Sequence, residues 1–153
     1  MTQTLTEGDL APNFTMETTQ GTVTLADFEG QWLVLYFYPK DNTPGCTTEA
    51  LDFSSLAEAF AAKNATVLGV SPDSLKSHDN FIAKKDLTVR LGSDLDQAVS
   101  NAYGVWVEKN MYGRKYMGVQ RATFLISGDQ RIAKIWPKVK VKAHAEDVLS
   151  HIS

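Results

Sequence analysis

The run from Trp32 to Tyr38, "WLVLYFY", is apolar at every position. Strands with one solvated face alternate apolar and polar residues, so an unbroken run predicts a central strand covered on both faces. Pro39 ends it. "ATVLGVS" predicts a second strand of the same kind. "NFTMETTQGTVTLADF" has short alternating stretches on either side of Gln20-Gly21, which predicts a β-hairpin. "RATFLISGDQRIAKIW" predicts another, turning at Gly128-Asp129.

Elsewhere the period changes. Ala50, Phe53, Leu56, Ala57, Phe60 and Ala61 recur at helical spacing and predict one helix, stopping near Asn64. "SLKSHDNFIAKKD" predicts a helix and "TVRLGSD" a short strand. "LDQAVSNAYG" predicts a helix closed by Gly104, and "KAHAEDVLSHI" the terminal helix. "VWVEKNMYGRKYMGVQ" has neither period and is expected to be a loop. "KVKVK", Lys138 to Lys142, alternates after Pro137 and reads as a solvated edge segment guarded by lysines. Strand-helix-strand, then helices, then an antiparallel hairpin and a last helix predicts an α/β fold: a mixed central sheet with helices on both faces and an N-terminal β-hairpin. The thioredoxin-like arrangement has this order. One domain is expected over residues 1–153.

Composition narrows the function classes. No apolar run is long enough to span a bilayer, so no membrane role is expected. The start, "MTQTLTEGDLAPNF", lacks a basic segment followed by an apolar one, so a secretory signal is not expected. A net charge of −3 argues against nucleic acid as a partner, since phosphate binding needs a basic surface. The one cysteine, Cys46, can form neither an internal disulfide nor a Cys-rich metal site. These features together lead to an expected cytoplasmic location.

A lone cysteine is commonly a small buried hydrophobe. Its placement here points elsewhere. Thr43 can cap the helix and Pro44 suits its first position, so Cys46 falls in the first turn. Unpaired backbone N–H groups and the positive end of the helix dipole favour a thiolate there. Gly45 allows close approach to the backbone. A loop between a buried strand's C-terminal end and a helix N-terminus is also where α/β sheets place ligands.

"YFYPKDNTPGCTTEA" resembles the active-site signature of the peroxiredoxins, Pro-x-x-x-Thr-x-x-Cys, through Pro39, Thr43 and Cys46. The fuller stretch is similar to the bacterioferritin-comigratory-protein, or PrxQ, subfamily. "GDLAPNF", "VLGVSPDS", "LGSD", "YGVW" and "RATFLIS" extend the resemblance over nearly the whole chain. It implies a thioredoxin-like fold and a thiol-dependent peroxidase acting on hydrogen peroxide and organic hydroperoxides, with no cofactor and no metal. It implies that Cys46 is the peroxidatic cysteine, oxidised to a sulfenic acid. Thr43 and Arg121 would bind the peroxide together with Gly45 and Cys46, Pro39 would shield the thiol, and Glu49 would orient Arg121.

The chain departs from the subfamily in one respect. Positions that carry a resolving cysteine in other members hold Leu51, Ile82 and Ser100 here. The resemblance is therefore to a one-cysteine version, and an external thiol (thioredoxin, glutaredoxin or a small thiol) is expected to recycle the sulfenic acid. The chain is expected to act as a monomer rather than a dimer. Cys-x-x-Cys is absent, which disfavours a thioredoxin-type oxidoreductase. A cysteine protease would need a histidine against Cys46, and none of His78, His144 and His151 falls in a segment that places it there. His144 and His151 lie on a polar terminal helix and are expected to be solvated. Trp106 and Tyr112 line either the active-site mouth or a packing contact. A redox sensor or holdase that does not turn over is the alternative function on the same fold.

Overall fold

The computed structural model describes residues 5–152. A hairpin opens the chain, formed by β1 (Thr15–Thr18) and β2 (Gly21–Thr24), and is followed by a 3₁₀ turn over Leu25–Phe28. Then come β3 (Trp32–Phe37), α1 (Pro44–Ser55), α2 (Ala57–Ala62), β4 (Ala65–Ser71), α3 (Leu75–Lys85), β5 (Arg90–Ser93) and α4 (Ala98–Ala102). The last part holds β6 (Trp106–Met111), β7 (Arg114–Val119), β8 (Ala122–Ile126), β9 (Ile132–Trp136) and α5 (His144–Ser150). Seven strands make one sheet in the order β2-β1-β5-β4-β3-β8-β9. The β3–β4 and β4–β5 pairs are parallel, and the β1–β5, β3–β8 and β8–β9 pairs are antiparallel. This is the mixed, thioredoxin-like sheet that the order of elements predicts.

The pleat of β3 explains the unbroken apolar run. Leu33, Leu35 and Phe37 enter one core with Leu68, Val70, Phe124 and Tyr103. Val34, Tyr36 and Tyr38 enter a second, with Cys46, Phe53, Phe60, Phe81 and Val148. Successive side chains point to opposite faces, and both faces are covered. The thiol of Cys46 thus belongs to the second core, where α1 lies on the sheet.

Three expectations need correction. The single helix expected from Pro44 to near Asn64 is two helices, divided at Leu56. The Ser54 carbonyl accepts from the Leu56 N–H and from the Thr88 hydroxyl, which takes it out of the regular helical ladder. The segment expected as a loop between Val105 and Gln120 is the β6–β7 hairpin, a separate two-stranded sheet. Its turn puts Tyr112 (φ 54°) and Gly113 (φ 78°) in the left-handed region, the geometry that favours two-residue hairpins. Both of its faces are largely solvated, so no alternation marks it in the sequence. Residues 138–142 form no strand. Their lysines are exposed as expected, but the Val139 N–H donates to the Arg121 carbonyl, so this segment anchors the backbone of Arg121.

Candidate active site

β3 delivers the chain to one end of the sheet, and Pro39 closes the strand. Asn42 turns through positive φ (61°), and α1 starts at Pro44 with Thr43 as its N-cap residue. Pro44 has no N–H to leave unpaired at that position. The cap differs from the expected one. The Thr43 hydroxyl makes no bond to the helix; it donates to the Lys40 carbonyl at 2.9 Å. Its acceptor lone pairs remain directed away from that bond.

Cys46 lies in the first turn of α1 with only 1% of its surface exposed. Arg121, just before β8, donates from Nη2 to Cys46 Sγ at 3.2 Å and from Nη1 to Glu49 Oε1 at 2.8 Å. One planar guanidinium therefore bridges the thiol and a carboxylate one helical turn away. Gly45 leaves room for this approach, because a Cβ there would sit 3.2 Å from Arg121 Nη2, a tight contact that the guanidinium would have to yield to. The sequence suggested that Gly45 opens the backbone to another molecule; in the structure it makes room for the guanidinium.

The electrostatics follow from burial. Desolvation pushes the Glu49 carboxyl up to about 7, against the pull of the Arg121 charge. Burial by itself would lower the pKa of Arg121, but Glu49 and Cys46 more than offset it and raise that pKa above its ordinary value. Lys109 on β6, which the sequence reading missed, lies in the same field. Burial lowers its pKa first, and Arg121 lowers it further, while Cys46 opposes both. Among the described residues, two buried side-chain atoms have no hydrogen-bond partner, the Tyr36 hydroxyl and Glu49 Oε2. Tyr36 stacks on Phe53 with centroids 4.7 Å apart, and its own pKa is raised by burial and then by Glu49 and Cys46. The site thus has a cation on the sulfur and spare polar atoms behind it. Displacement at an O–O bond needs donors aimed at the departing charge, and such an arrangement can provide them.

Cys46, Arg121, Glu49 and Gly45 are brought together. Pro39 and Thr43 lie on the approach to the same turn, half-buried, and neither is hydrogen-bonded to the sulfur. Leu51 is exposed on α1 and Ile82 half-buried on α3. The buried Ser100 hydroxyl donates to Asp94. Trp106 packs against the first core, and Tyr112 stands fully exposed at the hairpin tip.

One histidine departs from expectation. His144 is buried, not solvated: its Nε2 lies 2.8 Å from the Thr123 hydroxyl, and its ring packs edge-on against Phe53 and Trp136. Burial lowers its pKa to about 4. His151 is exposed, as expected. His78 is fully buried, with Nδ1 2.7 Å from Asp41 and Nε2 2.8 Å from the Gly92 carbonyl. Asp41, Asp73 and His78 offer metal-type ligand atoms within 4.8 Å of one another. They could hold an ion only by giving up hydrogen bonds they already make. A signal for His78 was available only in three dimensions, because Asp41 lies 37 residues away.

A thioredoxin-like sheet that buries one cysteine at a helix start against an arginine places the chain among cysteine-dependent redox enzymes. The AhpC/TSA family matches residues 8–135. Peroxiredoxin Bcp of Xanthomonas campestris is 53% identical over 127 residues, covering 83% of this chain and 79% of the relative. Peroxiredoxin Bcp of Bacillus subtilis is 46% identical, covering 95% and 94%. Among solved structures, a mutant PrxQ of Xylella fastidiosa superposes with a TM-score of 0.91 at 47% identity, over 97% of this chain and 95% of that one. A Xanthomonas campestris bacterioferritin comigratory protein, solved for insight into its alkyl peroxide reduction activity, gives a TM-score of 0.86 at 48% identity, over 91% and 89%. The chain belongs to the AhpC/TSA family and is a peroxiredoxin, a thiol-dependent peroxidase similar to Bcp and PrxQ proteins, with a single cysteine.

Proposed function

We propose that Cys46 is the peroxidatic cysteine and that hydrogen peroxide and alkyl hydroperoxides are its substrates. The observation that carries this reading is the 3.2 Å contact from Arg121 Nη2 to Cys46 Sγ, with Glu49 holding the other side of the guanidinium. The thiolate attacks the terminal oxygen of ROOH. An S–O bond forms, the O–O bond breaks, and RO⁻ takes up a proton and leaves as ROH. The sulfur is oxidised by two electrons to a sulfenic acid. Arg121 stabilises the charge that moves from sulfur to the leaving oxygen. Thr43, whose hydroxyl proton is held by Lys40, uses its lone pairs to accept the O–H of the peroxide. Pro39 excludes water from the sulfur.

Reduction needs two external thiols. The first attacks the sulfenic sulfur and releases water, leaving a mixed disulfide. The second displaces Cys46 and leaves as the external disulfide. Leu51, Ile82 and Ser100 offer no sulfur for an internal route. Thioredoxin, glutaredoxin or a small thiol would serve, and the chain would work as a monomer, as one domain, in the cytoplasm. No helix among the described residues is long and apolar enough to cross a membrane, which accords with that location. Peroxide consumption is to be followed with each reductant, for the wild type and for Cys46→Ser. Sustained consumption that vanishes in Cys46→Ser is expected. A single stoichiometric oxidation with every reductant would instead favour a sensor, and turnover by Cys46→Ser would sink the assignment.

A further inference from the structure

We infer that Asp41 and His78 form a buried hydrogen-bonded pair that positions the peroxidatic loop, so that both are positioning residues for the reaction at Cys46. The inference rests on the function proposed above, and concerns residues that the reaction itself does not touch.

The hydrogen bonds fix the orientation of both side chains. The Gly92 carbonyl can only accept, so His78 Nε2 carries a proton and donates to it. Asp41 Oδ1 accepts from the Tyr38 hydroxyl at 2.6 Å, and Oδ2 accepts from the Ser77 hydroxyl at 2.8 Å. His78 Nδ1 lies 2.7 Å from the same Oδ2 and 3.4 Å from the Tyr38 hydroxyl, which ties the ring to Asp41. Burial acts to raise the Asp41 pKa, but the His78, Tyr38 and Ser77 bonds outweigh it and hold the carboxyl below its ordinary value.

Four elements meet in this cluster. Tyr38 ends the β3 run, Asp41 lies in the loop toward Cys46, Ser77 and His78 are on α3, and Gly92 is on β5. A second bond fixes the loop backbone: the Asp41 N–H donates to Asp73 Oδ2 at 2.8 Å, and Asp73 also receives the Ser71 hydroxyl. The loop then runs through the positive φ of Asn42 to Thr43, whose hydroxyl returns to Lys40. Lys40 and Thr43 flank the anchored residue. The position of the Thr43 oxygen is thereby set by Asp41, and through it by His78. Among the described residues every polar atom of Asp41 and His78 side chains has a partner.

The test separates the two sides of the ring. His78→Asn places an amide near Nδ1 and can still donate to Asp41. His78→Gln places one near Nε2 and keeps the Gly92 contact but not the Asp41 contact. The readout is the single-turnover oxidation of Cys46 by hydrogen peroxide, measured without reductant and well below the melting temperature. His78→Gln is expected to slow oxidation about tenfold, a misplacement effect, and His78→Asn to recover most of that loss. With Thr43→Val already present, His78→Gln should slow oxidation much less, because the oxygen it positions is gone. Equal effects of the two variants, no effect of His78→Gln, or full multiplication with Thr43→Val would overturn the inference, since a purely structural role predicts additivity. If His78→Gln does not fold, Ser77→Ala decides: removing one donor to Asp41 should slow oxidation measurably, and an unchanged rate overturns the inference. Loss of peroxide reactivity in Cys46→Ser, checked beside these, keeps the two readings apart. If that variant still reacts, the function fails; if it does not, a null result at His78 refutes only the positioning role.

Discussion

Two buried charged clusters flank the same loop, and they are built differently. In the first, Arg121 bridges Cys46 and Glu49, and both Glu49 Oε2 and the nearby Tyr36 hydroxyl are left without partners. In the second, Asp41 and His78 share their contacts with Tyr38, Ser77 and Gly92, and no side-chain atom of the pair is left over. A buried polar atom without a partner is destabilising, so most interiors avoid it. The contrast separates tasks. A satisfied network is stiff and suits a support. An unsatisfied one retains polar capacity that a passing ligand and moving charge can use, at some expense in stability.

The largest expected effect removes the cation from the first cluster. Arg121→Ala should slow peroxide reduction by about a hundredfold or more, the scale for losing a donor aimed at developing charge. Arg121→Lys should recover little, because a single ammonium cannot contact Cys46 and Glu49 in the planar fork that the guanidinium provides. Circular dichroism should report an intact fold in both. Second-order rate constants for peroxide would test this, and a loss below about threefold in Arg121→Ala would show that the cation does not act on the reacting atoms.

Next comes stability against pH. Glu49 has its pKa raised to about 7 from 4.5. The folded state therefore binds more protons than the unfolded state in that window, and this stabilising contribution is present below pH 4.5 and lost as pH rises toward 7. His144 has its pKa lowered from 6.5 to about 4, so its contribution has the opposite sign: present above pH 6.5 and lost on acidification toward 4. Each shift corresponds to about 3 kcal/mol at most. The two oppose each other between pH 4.5 and 6.5 and should leave the wild type with a shallow dependence there. Glu49→Gln should make the protein lose stability on acidification over this range, and His144→Gln should make it lose stability as pH rises. Melting temperatures across the range test both; parallel curves for all three proteins would contradict the assignment.

How far the sequence foretold these clusters depended on distance along the chain. The start of α1 was legible because its signals are adjacent: Thr43, Pro44, Gly45 and Cys46. β3 was legible because both its faces are covered. Arg121 lies 75 residues from Cys46, and only the resemblance to peroxiredoxins picked it out from other arginines. His144 was misjudged and the role of His78 not visible, because each sits on a helix with many polar residues and its buried contacts come from elsewhere in the chain. The β6–β7 hairpin gave no period because neither of its faces is part of a core.

A smaller effect should come from the packing behind the first cluster. A Cβ at Gly69 would lie 2.5 Å from the Tyr36 ring, closer than atoms can approach. Tyr36 stacks on Phe53 of α1 and is fully buried, so it has little room to retreat. Gly69→Ala should destabilise the protein by about 1–3 kcal/mol. Adding Tyr36→Phe removes the hydroxyl that the new methyl meets at 2.6 Å, and also removes an unpartnered buried oxygen. The double variant should regain part of the loss. Denaturant midpoints of the two single variants and the double would show this, and strict additivity would mean that the collision is relieved in some other way.

The smallest effect is expected at Thr43, which lies between the clusters. Its hydroxyl proton is held by Lys40, so the part proposed for it in the reaction is that of an acceptor. Because its side chain makes no bond to the helix, the usual loss on removing an N-cap, about 1 kcal/mol, should not appear in full. Thr43→Val should therefore slow peroxide reduction about tenfold, the scale of one lost hydrogen bond of 1–1.5 kcal/mol, while changing stability by less. Thr43→Ser keeps the oxygen and should stay closer to wild type. The comparison is made on rate constants for peroxide and on denaturant midpoints of the same samples. If Thr43→Ser were as slow as Thr43→Val, the methyl packing and not the oxygen would be what the site uses, and Thr43 would belong with the supporting cluster instead of the reacting one.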